Sequence, residues 1–185
     1  FLGTFPSAII VAKANGIDIT AKGSGNPGAS NVARTLGWRR GMYVYVLDAL
    51  KAVVAVILGR IVAGDAGGFW GAATAIIGHM YPVTRRFKGG KGVATGSGSM
   101  FVLQPIVSAC LCVLWVIISK TTKKASIASL VVTIGLPIGM VIDGAPAWQA
   151  LAMMCLACIV VMKHVPNLRR LRSGTELSLD TKGDN

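Results

Sequence analysis

Six long apolar runs divide this chain, and they constrain the fold more than any other feature of the sequence. The runs cover residues 1–12, 41–64, 67–83, 92–119, 125–142 and 146–162. A helix of about 20 apolar residues crosses a bilayer, and helices can satisfy all their backbone hydrogen bonds in lipid. Since 53% of the residues are hydrophobic and only 14% are charged, with a mean hydropathy of +0.63, we predict an all-α polytopic membrane protein.

Basic residues collect in four blocks between these runs. The blocks Lys13–Arg40, Arg85–Lys91, Lys120–Lys124 and Lys163–Lys182 hold 17 of the 19 lysines and arginines. The positive-inside rule places such blocks in the cytoplasm. If every run crossed the membrane once, however, the block at 120–124 would face the opposite side from the other three.

The run at residues 92–119 removes this conflict if it crosses the membrane twice. It is 28 residues long, and Gln104-Pro105 interrupts it, which suits a tight turn between two short helices. We therefore predict seven transmembrane helices, with the N-terminus outside and the C-terminus in the cytoplasm. A single long tilted helix is the alternative for this run. Residues 1–12 are too few to span, so we interpret them as a first helix truncated at its start.

No internal repeat or linker divides the chain. We expect residues 1–179 to form one integral membrane domain and the polar residues 180–185 to form a disordered C-terminal tail. Within the second run, Asp48 and Lys51 lie one helical turn apart and could pair.

Composition argues against nucleic-acid and metal binding. The chain has 19 Lys+Arg against 7 Asp+Glu, but the cations lie between apolar runs rather than on a basic face studded with aromatic residues. The four cysteines lie inside apolar runs, where a thiol behaves as a small hydrophobe. Because the pair Cys155 and Cys158 lacks a second ligand pair nearby, we predict no metal site.

The first basic block contains a glycine-rich segment, residues 23–34, with the sequence GSGNPGASNVAR. Three glycines within six positions let backbone amides turn toward an anion, and the hydroxyls and Arg34 add donors. The alternative is an ordinary polar turn, in which Ser30 or Asn31 caps a short helix that ends at Gly37.

The second block reads GHMYPV at residues 78–83 and FKGGKGVAT at residues 87–95. A Gly-Gly-Lys-Gly turn that leads into a helix brings free amides, the helix dipole and an ammonium group together, which predicts a phosphate site. The spacing is not that of a Walker motif, so nucleotide binding does not follow. The alternatives are a flexible basic loop for the turn and a satisfied helix-end histidine for His79.

The third block is KHVPNLRRL at residues 163–171, followed by Gly174-Thr175-Glu176. Taken alone, it is a basic juxtamembrane segment that could bind anionic lipid headgroups.

Together, the three blocks resemble the signatures of the bacterial glycerol-3-phosphate acyltransferases that use acyl-phosphate. That family shows GSGNxGxTNxxR, then GHxxPV leading to FxGGKGVAT, and then HxxN ending near GxE. All three motifs occur here in the same order at membrane boundaries, and the resemblance covers nearly the whole chain. Ser30 replaces the usual threonine and keeps the hydroxyl.

The resemblance implies an acyltransferase reaction. The 1-hydroxyl of sn-glycerol 3-phosphate attacks the carbonyl of a long-chain acyl-phosphate and gives lysophosphatidic acid and phosphate, the first step of bacterial phospholipid synthesis. The resemblance also implies a monomer in the inner (plasma) membrane, in contact with membrane lipids, with an active site that faces the cytoplasm and needs no cofactor.

The resemblance further assigns roles to residues of the three motifs. It implies catalytic roles for Ser24, Lys91, His164 and Asn167. It implies substrate contacts for Gly23, Asn26, Asn31, Arg34, His79, Gly89, Gly90, Gly92 and Thr95. Glu176, which lies beyond the core motif, is expected to orient a basic residue or cap the structure.

The proton acceptor has three candidates. His79 and His164 are the only histidines, and either could accept the hydroxyl proton. A phosphate oxygen of a substrate could accept it instead, because acyl-phosphate is already activated. We favour this substrate-assisted route, with amides, Ser24 or Lys91 stabilising the oxyanion.

Two other classes of protein share some of these features. A small-anion transporter or channel can also carry glycine-rich breaks and cations at membrane boundaries, but transporters usually have paired halves and no repeat is detectable here. A lipid-binding structural subunit would need the basic blocks but not two separate glycine-rich loops.

Overall fold

The computed structural model describes residues 1–180, which form eight α-helices and two short 3-10 turns and contain no β-strand. The 3-10 turns are Leu2–Thr4 and Val83–Arg85. The helices are α1 (Ser7–Lys13), α2 (Ala29–Leu36), α3 (Trp38–Met80), α4 (Val93–Leu103), α5 (Pro105–Thr122), α6 (Ala125–Ile142), α7 (Ala147–Lys163) and α8 (Val165–Arg172). The all-helical fold predicted from the sequence is confirmed.

Helix α3 consists of two helical halves joined by a kink. Ala63 and Gly64 have non-helical backbone angles, and Gly64 has a φ of 57°, which glycine adopts without steric cost. The two halves lie so close together that a Cβ at Gly71 would overlap the backbone of Ala55. The kink therefore falls where the run at 41–64 gives way to the next.

The predicted break at Gln104-Pro105 is present. Helix α4 ends at Leu103 and α5 begins at Pro105, where a missing backbone N–H costs nothing at a first helical position. The side chain of Gln104 donates from Nε2 to Oε1 of Gln149 at 3.3 Å. This contact places the start of α5 and the start of α7 at the same end of the helical bundle.

The helices pack around a methionine-rich core. Helix α3 packs against α2 and α4, α5 packs against α6, and α6 packs against α7. The buried core includes Ile76, Met80, Met100, Met140 and Met153, which come from α3, α4, α6 and α7. Other large apolar side chains face outward, among them Ile57, Leu58, Val113, Ile117, Ile134, Ile138 and Leu151. An outward apolar surface of this kind suits a lipid environment.

Two of the described helices are long and apolar enough to cross a bilayer by themselves. These are α5 and α6, with mean hydropathies of 1.7 and 2.2. Helices α7 and α8 qualify together as a third span that is bent by 54°. The number of seven spans and their orientation therefore remain predictions.

The end of the described chain runs along the same face as the basic blocks. Leu179 donates its N–H to the carbonyl of Lys123 at 2.8 Å, and Asp180 pairs with the Lys123 ammonium at 3.1 Å. Asp180 is the first residue of the predicted disordered tail, and residues 181–185 of that tail lie outside the described residues.

Candidate active site

The glycine-rich turn of the second block leads directly into a helix, as its sequence predicts. Gly92 precedes the first residue of α4 with a φ of 86°, and no side chain caps this helix end. The N–H of Gly90 donates to the carbonyl oxygen of His79 at 3.1 Å, which ties the turn to the end of α3. The first amides of α4 are therefore left open beside the ammonium-bearing Lys91.

A chain of polar contacts joins Lys91 to the third block. The ammonium of Lys91 donates to Oδ1 of Asn167, and Nδ2 of Asn167 donates to Oε1 of Glu176 at 2.6 Å. Arg170 donates from Nε to the other Glu176 oxygen at 2.8 Å. Since Asn167 and Glu176 are buried, these contacts fix which end of the Asn167 amide faces Lys91. The expected role of Glu176 in orienting a basic residue is confirmed by its bond to Arg170.

Burial and neighbouring charges set the protonation of this cluster. Burial lowers the pKa of Lys91 to about 8, Glu176 opposes this shift, and the cations Arg170 and Arg34 add to it. Burial also lowers the pKa of Arg34. Burial alone would raise the pKa of Glu176, but hydrogen bonds from its neighbours, including Asn167 and Arg170, outweigh that effect and hold the pKa below its usual value.

Asn31 organises the glycine-rich segment of the first block. Its buried amide oxygen accepts the N–H of Ser24 at 2.9 Å and Nη1 of Arg34 at 3.4 Å. Its amide nitrogen donates to the carbonyls of Ile19 and Lys22 at 3.3 Å and 3.0 Å. The amide of Asn31 is therefore fully used in holding the loop that carries Ser24.

The short helix considered as an alternative for this block is also present, but its cap is different. Helix α2 ends before Gly37, as that interpretation expects. The residue at its N-cap is Gly28, which has no side chain, so neither Ser30 nor Asn31 caps the helix. The glycine-rich loop and the helix are consecutive parts of one structure rather than alternatives.

Arg34 reaches from α2 to the end of the described chain. Its Nε donates to the carbonyl of Ser178 at 2.8 Å, and Nη2 donates to the carbonyl of Leu177 at 3.5 Å. Lys124 holds the same segment by donating to the Glu176 carbonyl at 2.7 Å. Sequence reasoning missed Lys124 and Arg170 as members of this cluster, although both lie in the basic blocks.

His164 lies at the bend between α7 and α8 and is almost completely buried. Its Nδ1 is 2.8 Å from the carbonyl oxygen of Val160, an acceptor, so Nδ1 carries a proton. In the neutral ring, Nε2 is then unprotonated and can accept a hydrogen bond. The charges of Lys91 and Glu176 act on this ring, which places His164 near the Lys91 cluster.

The structure assigns His79 to a second polar cluster. Its Nδ1 is 2.9 Å from the ammonium of Lys51, which also contacts Asp48 at 2.6 Å. The predicted pairing of Asp48 and Lys51 is therefore confirmed. As the alternative interpretation expected, His79 is a helix-end histidine with a hydrogen-bond partner, and its backbone also contacts the glycine-rich turn.

The remaining predicted site residues lie either in the loop that carries Ser24 or inside α4. The N–H of Asn26 points to the Ser24 hydroxyl at 3.4 Å, and Gly23 lies against Asn31, so these three residues belong to one loop. Thr95 is fully buried in α4, and its hydroxyl has no hydrogen-bond partner within residues 1–180. The structure therefore brings Lys91, His164, Asn167 and Arg34 together, and it joins Ser24 to them through Asn31.

Comparison with known proteins gives consistent matches. The family described as glycerol-3-phosphate acyltransferase matches residues 1–174. Glycerol-3-phosphate acyltransferase 2 of Bacillus cereus is 38% identical over 176 residues, which cover 95% of this chain and 88% of the relative. Glycerol-3-phosphate acyltransferase of Geotalea daltonii is 38% identical over 178 residues, which cover 95% of this chain and 91% of the relative.

Two solved structures are similar to this chain along nearly its full length. Both are crystal structures of PlsY, an integral membrane glycerol 3-phosphate acyltransferase. The glycerol 3-phosphate form has a TM-score of 0.91 at 32% identity and covers 96% of this chain and 90% of that chain. The lysophosphatidic acid form has a TM-score of 0.89 at 32% identity and covers 97% of this chain and 91% of that chain.

Proposed function

This chain belongs to the glycerol-3-phosphate acyltransferase family, and on that premise we propose that its acyl donor is a long-chain acyl-phosphate. The chain is an integral membrane acyltransferase. In the proposed reaction, sn-glycerol 3-phosphate is acylated on its 1-hydroxyl, and the products are lysophosphatidic acid and inorganic phosphate. The reaction is the first step of phospholipid synthesis, at the cytoplasmic face of the bacterial inner membrane.

The state of the Lys91 ammonium is the observation that carries this proposal. Within residues 1–180, Lys91 makes no ion pair, and its hydrogen bond goes to the neutral amide oxygen of Asn167. Lys91 is half-buried, and the Glu176 carboxylate that acts on it is already paired with Arg170. Since Arg34 and Arg170 act on Lys91 with the same sign of charge, the cluster carries an excess of positive charge. A phosphate group at this position would supply the missing negative charge.

The glycine-rich loops supply the remaining phosphate donors in this proposal. The backbone amides of Lys91 and Val93, which follow Gly90 and Gly92, are open at this turn, whereas the Gly90 N–H is bonded to the His79 carbonyl, and a helix N-terminus favours negative charge. Ser24 and Asn26 contact substrate from the first loop, which Asn31 holds in place. Arg34 contributes positive charge and holds the segment at residues 177–178.

The proposed chemistry is an acyl transfer that needs no covalent enzyme intermediate. The 1-hydroxyl oxygen of glycerol 3-phosphate attacks the carbonyl carbon of the acyl-phosphate and forms a tetrahedral oxyanion. The bond from that carbon to the phosphate oxygen then breaks, and phosphate leaves with the electron pair. The hydroxyl proton passes to a phosphate oxygen, while the ammonium of Lys91 and nearby amides stabilise the developing charge.

His164 has a supporting role in this scheme. Its Nδ1 is bonded to the Val160 carbonyl, so Nε2 is available as a hydrogen-bond acceptor for the attacking hydroxyl. Such a bond orients the nucleophile without requiring the imidazole to take the proton. His79 is excluded from this role, because its Nδ1 is held by Lys51 and its ring lies against Gly90.

A direct assay tests the donor. Purified protein in detergent receives radiolabelled glycerol 3-phosphate with palmitoyl-phosphate, palmitoyl-CoA or palmitoyl-acyl carrier protein in parallel reactions. We expect lysophosphatidic acid and an equal amount of inorganic phosphate with the acyl-phosphate alone. Acylation that is faster with either thioester would contradict the donor assignment, and uptake of glycerol 3-phosphate into sealed vesicles without acylation would support the transporter alternative.

A further inference from the structure

We propose that Lys51 is a positioning residue that determines which ring nitrogen of His79 carries the proton. The Nε2–H of His79 can then donate to a substrate phosphate at the Gly89-Gly90 turn. The inference rests on the proposed function, because it supplies a further donor to the same phosphate-binding turn. Lys51 lies far from that turn in the sequence, and its contacts carry the argument.

Lys51 sits in a closed polar cluster inside the helical bundle. The cluster contains Ser7, Asp48, Lys51 and His79, which are all buried. Ser7 donates to Oδ1 of Asp48 at 2.8 Å, and this same carboxylate oxygen lies 2.6 Å from the Lys51 ammonium. The Asp48 carboxylate thus balances the charge of Lys51, and the cluster as a whole is neutral when His79 is neutral.

The three hydrogens of the Lys51 ammonium match three acceptors. Its nitrogen lies 2.6 Å from Oδ1 of Asp48, 3.0 Å from the Phe5 carbonyl oxygen and 2.9 Å from Nδ1 of His79. An ammonium group donates three hydrogen bonds and accepts none. A proton on Nδ1 of His79 would place two hydrogens between nitrogens that are 2.9 Å apart. Oδ1 of Asp48 also lies 3.4 Å from Nδ1, but this oxygen already accepts shorter bonds from Ser7 and Lys51. The closer Lys51 ammonium therefore favours an unprotonated Nδ1, which leaves the proton of the neutral ring on Nε2.

The Nε2 side of the His79 ring faces the glycine-rich turn. A Cβ at Gly90 would overlap Nε2, so only a glycine backbone can lie this close to the ring. Within residues 1–180, Nε2 has no hydrogen-bond partner. His79, Gly89 and Gly90 line a small cavity together with Arg85 and Asp48, and the Asp48 carboxylate is already bonded to Lys51 and Ser7. An N–H in a cavity that Arg85 also lines suits one oxygen of a phosphate group.

The tautomer can be measured directly, because the chain has only two histidines. Protein labelled with nitrogen-15 at histidine gives two imidazole spectra, and His164→Gln assigns the His79 signals by elimination. We expect the wild-type His79 to carry its proton on Nε2, with an unprotonated Nδ1. A proton on Nδ1 of His79 in the wild-type protein would overturn the inference, and this measurement does not depend on the acyl donor.

Steady-state kinetics then test whether this tautomer of His79 contributes to substrate binding. Lys51→Met should shift the His79 proton toward Nδ1 and raise the KM for one phosphate-bearing substrate about tenfold, with a kcat within about threefold of wild type. Separate titrations of glycerol 3-phosphate and palmitoyl-phosphate identify which phosphate the N–H serves. Arg60→Met is the matched control, because Arg60 lies on the same helix in an exposed pair with Asp65 and should leave both values unchanged.

A second variant covers the case in which Lys51→Met leaves Asp48 as an unpaired buried charge and does not fold. Asp48→Asn combined with Lys51→Met keeps the cluster neutral and should give the same rise in KM. If either folded variant keeps the wild-type KM for both substrates, the positioning role is refuted. If wild-type and Arg60→Met proteins also fail to acylate glycerol 3-phosphate, the proposed function fails instead.

Discussion

The backbone of Gly90 lies against the imidazole ring of His79. The Gly90 N–H donates to the His79 carbonyl oxygen at 3.1 Å, and a Cβ at position 90 would overlap His79 Nε2. His79 therefore holds the glycine-rich turn at the end of α3 through its carbonyl, and its ring leaves no room for a side chain at position 90. The glycines of this turn serve close packing as well as exposure of amides to an anion.

Gly90→Ala should weaken recognition of glycerol 3-phosphate more than it destabilises the fold. The new methyl group forces the turn away from the His79 ring and displaces the amides beside Lys91. We expect the KM for glycerol 3-phosphate to rise roughly tenfold or more, with a moderate fall in the thermal midpoint from the overlap with His79. Steady-state kinetics and a detergent-based melting assay measure the two effects.

Gly96→Ala is the control for this substitution. Gly96 lies within α4, and its Cβ would meet only the Ile76 side chain at an ordinary 3.8 Å. This change should leave KM unaltered and favour the helix by up to about 1 kcal/mol. Equal kinetics for the two alanine variants would remove the Gly90 turn from the substrate site.

The protonation of Lys91 predicts a pH dependence. Burial lowers its pKa to about 8, so the free enzyme loses this positive charge as the pH rises through that value. The kcat/KM for glycerol 3-phosphate should then fall by about tenfold per pH unit at higher pH. Lys91→Arg should be less active at pH 7 but should lack this decline, because an arginine pKa lies above about 12. An identical decline in the variant would mean that another group titrates.

His164→Gln separates orientation of the nucleophile from general-base catalysis. Glutamine can still accept a hydrogen bond but cannot take a proton at neutral pH. If a substrate phosphate accepts the proton, kcat should fall only about tenfold and the shape of the pH profile should persist. A loss of about a thousandfold or more would instead identify His164 as the base. His79→Gln serves as the comparison, since it should act mainly on KM.

Membrane topology can be tested at the two ends of α5. Gln104 lies in the break before this helix, and Thr121 is exposed in its last turn. In a background without the four native cysteines, Gln104→Cys should react with an impermeant maleimide from outside and Thr121→Cys from the cytoplasm. Labelling of both positions from one side would refute the model of seven helices.

The helical elements could be predicted because their signals are local. The interruption at Gln104-Pro105, the helix start after Gly92 and the pairing of Asp48 with Lys51 all depend on residues within one or two turns of each other. Proline geometry, glycine freedom and helical periodicity determine such features directly. The kink at Gly64 likewise lies between two apolar runs that were visible in the sequence.

The arrangement of the site could be predicted only in part, because its contacts join distant residues. The sequence identified Lys91 and Asn167, but not that Glu176 would fix the Asn167 amide. It also gave no indication that Lys51 contacts His79 or that Arg34 holds the Ser178 carbonyl. These contacts depend on how the helices pack, and residue spacing does not encode packing between distant segments.

Arg34→Lys tests whether the guanidinium group of Arg34 is needed beyond its charge. Arg34 donates to the carbonyls of Ser178 and Leu177 and to the Asn31 amide oxygen at once, which a lysine cannot reproduce. Lysine preserves the positive-inside charge, so we expect a folded and correctly oriented protein. A lost hydrogen bond from a charged group commonly costs about 1.5 to 3 kcal/mol, so kcat/KM should fall roughly tenfold to a hundredfold or more. Arg39→Lys, at an exposed position outside the glycine-rich loop, should be nearly silent. If both variants acylate glycerol 3-phosphate at the wild-type rate, Arg34 contributes only to topology and the first block does not take part in substrate binding.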